Sequence, residues 1–167
     1  MALRTQFNLA IDVRQTAAGD YLGQVVDQFP AFLELWTSGT GAGLADLYYY
    51  DNRLLGAGAT ESHDLTALTP GPLGANVNMT ELRLIAIRAA PANGDALDVT
   101  PNAVNGFTDI LQAAGDLLRI HEGTTFIWAC PTDGVTAIAA GNRVIDIINT
   151  DGAAGINYEI LIVGTSA

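Results

Sequence analysis

Between Ala45 and Ala167 short apolar runs recur, separated by clusters of Gly, Asn, Asp, Thr and Pro. Runs of this length, punctuated at about every dozen residues, suit strands joined by tight turns. Helices would need longer stretches of 3.6-residue periodicity. The last run, Ile156-Asn-Tyr-Glu-Ile-Leu-Ile-Val-Gly-Thr-Ser-Ala167, shows the pattern most clearly. The expected fold is all-β: an antiparallel β-sandwich.

The strand candidates follow in order. Ala45–Leu55 is rich in tyrosine, and Thr60–Leu68 alternates like a half-exposed strand. A loop with Pro and Gly, 69–78, precedes Thr80–Arg88. Within that strand Leu82, Leu84 and Ala86 are expected on one face, with Arg83, Ile85 and Ile87 on the other. Both faces are mainly apolar, as in a central strand. Asp95–Val99, Leu117–His121, Thr125–Ala129, Val135–Ala139, Arg143–Asn149 and Asn157–Gly164 complete the set. Residues 107–118 carry helical spacing weakened by Gly106 and Gly115, so a single helical turn or an ordered loop is expected there. Thr-Asp-Gly at 132–134 and again at 150–152 reads as turn chemistry.

The N-terminal part differs. Gln6–Val13 and Tyr21–Gln28 are short and loosely alternating, joined by Ala17–Asp20. Phe29–Trp36 fits a strand or a short helix, and Thr37–Gly43 reads as a flexible linker. Two parts are therefore expected: residues 1–44 as an arm or peripheral hairpin, and 45–167 as the sandwich domain.

Composition narrows the function. Charged residues make up only 15% of the chain, against a usual quarter, so solvated surface is scarce and contacts with other subunits are expected. The net charge is −11, with seven scattered Arg and no Lys. Nucleic acid and anionic membranes are poor partners for such a surface, because both are bound through basic clusters. Met1-Ala-Leu-Arg4 leads into polar residues, not the apolar core of a secretory leader, so synthesis and solubility in the cytosol are expected.

Catalytic vocabulary is thin. His63 and His121 each stand beside a carboxylate, but adjacent strand residues point to opposite faces, so both histidines read as surface or turn residues. No spacing offers further metal ligands. Cys130, the single cysteine, lies in Phe126-Ile-Trp-Ala-Cys-Pro131 and reads as a small core residue. The acidic residues match no calcium-loop spacing, although a carboxylate pair brought together by the fold stays open. Ser38–Gly43 lacks the Lys and the strand–helix context of a phosphate loop, and the Asn78-Met-Thr80 sequon has no secretory leader to make it relevant. No catalytic, cofactor or metal residues are expected, and the chain reads as a binding or structural protein, not an enzyme. The aromatic concentration at Phe29, Phe32, Trp36, Tyr48, Tyr49 and Tyr50 offers candidate interface anchors, with ordinary core positions the equal alternative.

Several motifs carry a resemblance. The Asp51-Asn-Arg-Leu-Leu-Gly-Ala-Gly-Ala-Thr-Glu-Ser-His-Asp-Leu65 entry, the Leu82–Arg88 strand, the Gly123-Thr-Thr-Phe-Ile-Trp-Ala129 run and the final Asn157–Ala167 segment are similar to those of small structural proteins of tailed bacteriophages and prophages. The resemblance covers 45–167 and brings no catalytic residues. It implies a virion component on the capsid exterior, a decoration or cement protein that binds the major capsid protein lattice, with a jelly-roll-like sandwich and a homotrimeric state. Alternatives are a head-fibre base or tail component, or a carbohydrate-binding sandwich that uses Tyr48–Tyr50.

Overall fold

The computed structural model describes residues 4–16, 24–69, 76–92, 94–113, 115–130 and 138–166, with side chains from Trp36 onward. The expected turn at Ala17–Asp20, most of the Pro/Gly loop, the Thr-Asp-Gly at 132–134 and most of the Val135–Ala139 strand lie outside the described residues.

Among the described residues the strands are β1 (Arg4–Thr16), β2 (Gln24–Thr37), β3 (Leu47–Leu55), β4 (Thr60–Asp64), β5 (Glu81–Ala89), β6 (Leu97–Pro101), β7 (Leu118–Ile120), β8 (Thr125–Ala129), β9 (Val144–Asn149) and β10 (Ile156–Thr165). Among the described residues there is no helix, and 107–113 is an ordered loop. Eight strands build two antiparallel four-stranded sheets, in the orders β3-β10-β5-β8 and β4-β9-β6-β7. The pairs β3 with β10, β4 with β9, β5 with β8 and β6 with β7 are nested, as if one long hairpin had been rolled up. Pairing of β10 with β5 and of β9 with β6 completes each sheet. This is the connectivity of a jelly roll.

The core lies between the sheets because each strand places alternate residues inward. Ile156, Tyr158, Ile160 and Ile162 of β10 meet Leu97 and Val99 of β6 and Ile145 and Ile147 of β9. Each large apolar side chain so buried contributes about 1.5–3 kcal/mol. Phe107, Leu65, Leu68, Val77 and Met79 come from loops and close the ends of the core.

In β5 the expected faces change partway. Val163 pairs with Leu84 while Gly164 pairs with Leu82, so Arg83 is the extra residue of a β-bulge. The bulge breaks the alternation. Leu82 joins Ile85 and Ile87 in the central core, and Leu84 goes with Ala86 to the outer face. Gly164, opposite the bulge, has no room for a side chain, since a Cβ there would strike the carbonyl oxygen of Glu81.

β1 and β2 form a separate two-stranded antiparallel ribbon, with β2 continuing through Phe29–Trp36 as strand. Its register shifts between Leu9 and Ile11, which pair with Phe32 and Phe29, so Pro30 and Ala31 together stand opposite Ala10. A bulge there suits a proline, which has no N–H to give the ladder. The following segment is a pinned turn where the sequence suggests a flexible linker. Leu44 N–H donates to Gly41 O and Ala45 N–H to Thr37 O, both at 3.0 Å. Arg83 Nε donates to Leu44 O at 3.1 Å and Nη2 to Gly41 O at 3.2 Å.

Candidate functional site

The two sheets present unlike outer faces. On β4-β9-β6-β7 the outward residues are mainly polar, with Ile148 of β9 the apolar exception between Thr60 and Asp98, and several are tied to one another. Ser62 Oγ donates to Asp146 Oδ1 at 2.6 Å, and Asn102 Nδ2 to Asp146 Oδ2 at 2.9 Å. The Arg119 guanidinium grips Asp98 through two 2.7 Å hydrogen bonds. That pairing holds Arg119 above its ordinary pKa.

On β3-β10-β5-β8 the register lays the outward residues in rows. Tyr48, Val163, Leu84 and Ala129 form the first row, and Tyr50, Leu161, Ala86 and Ile127 the second. Asn52, Glu159, Arg88 and Thr125 form the third. Eight consecutive positions in the first two rows are therefore apolar or aromatic. Trp36 and Ala45 pack over Leu84 and Val163, so the root of the ribbon covers part of the first row. Ala86, Ala129 and Leu161 are partly buried against that cluster, while Tyr48 is 40% exposed, Tyr50 53% and Ile127 41%.

The candidate anchors thus divide. Trp36 and Tyr49 are buried within the chain, where neither can anchor a partner. Tyr48 and Tyr50 point outward from the same strand, two residues apart, as strand alternation requires. Tyr50 Oη donates to Glu159 Oε1 at 3.3 Å, and the carboxylate's charge raises the phenol's pKa. The side chains of Phe29 and Phe32 lie outside the described residues.

A second polar cluster is internal. His63 is buried, which corrects the surface reading. The carboxylate that matters to it is not adjacent Asp64 but Glu61, two residues back on the same face of β4. Tyr158, reaching across from β10, donates its proton to Glu61 Oε2 at 2.6 Å and lies 2.8 Å from His63 Nε2. A phenol has one proton, so His63 Nε2–H must donate to the Tyr158 oxygen. Arg53 extends the cluster, with Nε 2.9 Å from Asp51 and 3.4 Å from Glu61. Burial lowers the His63 pKa, so the ring is neutral at pH 7. Burial, then the Glu61 hydrogen bond, raises the Tyr158 pKa far above its ordinary value. A phenol that holds its proton so firmly is no nucleophile at neutral pH. The cluster clasps β4 to β3 and β10 across the open edge of the sandwich.

His121 is exposed in the turn before β8. Cys130 is only half-buried, a correction to the core reading, because β8 is an edge strand with one side uncovered. Among the described residues, no group of three or more His, Cys, Asp or Glu converges to hold a metal ion, and no helix is long and apolar enough to cross a membrane.

No protein-family model matches the chain, and no curated protein matches it at a meaningful level of similarity.

Proposed function

We propose that this protein is a structural component of a bacteriophage virion, a decoration or cement protein on the capsid exterior. The observation that carries the reading is the asymmetry of the sandwich: one outer face is mainly polar, while the other carries two apolar rows beside the root of a separate β-ribbon. A sheet face of that kind is stable in water only at modest size and suits a repeated contact between subunits. The low share of charged residues supports the same reading. So does the resemblance of 45–167 to small phage structural proteins, and jelly rolls are frequent among capsid proteins, although a fold alone assigns no function.

In this reading Tyr48, Leu161 and Ile127 pack against neighbouring copies in a homotrimer, and residues 4–35 of the ribbon reach the major capsid protein. Each contact is weak, and several made at once on a lattice hold the shell together.

The test is co-sedimentation with shells of the phage that encodes the chain. The full chain is expected to sediment with shells as a trimer. Tyr48→Asp/Ile127→Asp, at two exposed positions of the face, should lose both properties while melting as the parent does. A double variant that still trimerises and binds shells as well as the parent would falsify the proposal.

A further inference from the structure

Below its apolar rows the same sheet face turns polar and concave. A groove of about 350 Å³ opens there, lined by Asn52, Arg88, Asn157 and Glu159 and closed at one end by Ala90 and Pro91. Its volume lies within the range of about 300–1,000 Å³ typical of small-ligand sites. Glu159 stands at its centre, with Arg88 Nη1 at 3.4 Å on one side and the Tyr50 hydroxyl at 3.3 Å on the other. Both distances are long for charge-assisted contacts, which run about 2.7–2.9 Å. The carboxylate is therefore held loosely and has lone pairs to offer.

We propose that this groove binds a neutral saccharide. Three observations point to that class. The groove mixes donors and acceptors on a short span: the Asn52 amide does both, a guanidinium donates and a carboxylate accepts. Sugar hydroxyls, which also do both, match such a lining. Tyr50, exposed on β3 two residues before Asn52 and hydrogen-bonded to Glu159, adjoins the groove and offers an aromatic face for the C–H surface of a pyranose ring. The net charge of −11, with Glu159 at the centre of the groove, turns away anionic ligands, while Arg88 cancels the local attraction for cations. Asn52, Arg88 and Asn157 lie beyond the apolar rows that hold Tyr48, Leu161 and Ile127, and Tyr50, paired with Leu161, borders both.

The test is an amide NMR titration of the full chain with four disaccharide probes: maltose, cellobiose, lactose and chitobiose. At least one is expected to give saturable shifts confined to Asn52, Arg88, Asn157, Glu159 and their neighbours, with a Kd of about 1 mM, the weak end of ligand binding. Arg88→Ala and Tyr50→Ala should each weaken that binding about tenfold, the loss expected for one charged hydrogen bond or stacking contact, with melting unchanged. Absence of saturable shifts with all four sugars, or shifts that survive both substitutions, would overturn the assignment. Loss of trimerisation in Tyr48→Asp/Ile127→Asp with sugar binding intact would leave it standing.

Discussion

Asn149 shows how much one amide can organise. Its Nδ2 is shared among Leu55 O, Gly56 O and Ala154 O at 2.8–3.2 Å, and its Oδ1 accepts from Asp151 N–H at 2.8 Å. Two turns from opposite ends of the chain are thereby fastened to the end of β9. Asn149→Ala takes the side-chain donor from the buried Leu55 carbonyl and from the Gly56 and Ala154 turns, and is expected to cost about 1–3 kcal/mol, read as a lower urea midpoint at unchanged slope. His63 provides a second prediction, in pH. Its folded pKa lies below the unfolded value of about 6.5, so on acidification the unfolded chain takes up the proton first. Stability is full above about pH 6.5 and falls as pH drops through that value toward the folded pKa. Thermal melts at about pH 7.5 and pH 5.5 should therefore show a loss on acidification that is smaller in His63→Gln. An equal loss in both proteins would place the acid sensitivity in other groups.

At the scale of the element, β5 and β10 carry the most demanding geometry. Their bulge sends Leu82 inward and Leu84 outward, and Gly164 is what lets the two backbones meet there. Gly164→Ala would drive a Cβ into Glu81 O and toward the Met79 sulfur, 2.9 Å away. A backbone neighbour cannot swing aside, so the substitution is expected to cost about 1–3 kcal/mol, measured by chemical denaturation. Legibility in the sequence was uneven here. Strand locations came from apolar runs and turn residues, but Ile160-Leu-Ile-Val163 in β10 is apolar throughout and does not show which side chains face inward. The bulge was not legible either, because Leu82-Arg-Leu84 alternates perfectly as written and only the pairing with β10 skips Arg83. The Glu61–His63 relation was available in principle as an i, i+2 pair on one strand face. Tyr158, which joins them, comes from a residue far along the chain.

For the whole molecule, the ribbon and the sandwich are expected to be separable, provided the cut respects Trp36. That residue fills a niche over Leu84 and Val163, and the 38–44 turn occupies the Arg83 guanidinium. A chain of residues 35–167 should melt close to the parent, while one that starts at residue 45 should melt lower, since it exposes Leu84 and strips Arg83 of two acceptors. Calorimetry on the two truncations checks this, and equal melting temperatures would show that the root contributes nothing to the sandwich. On the proposed function, the 35–167 chain should also fail to decorate shells.

The sequence by itself determined the class of the fold, because strand length, alternation and turn chemistry act over a few residues and are written locally. It also marked the N-terminal part as distinct and the tyrosines as notable. Only the tertiary structure decided which tyrosines face out, that His63 lies inside, and that Asn52, Arg88, Asn157 and Glu159 share one groove. Each of those depends on which strands become neighbours. In a jelly roll the neighbours of β10 are β3 and β5, strands about 70 to 110 residues earlier in the chain, and such pairings leave no local trace.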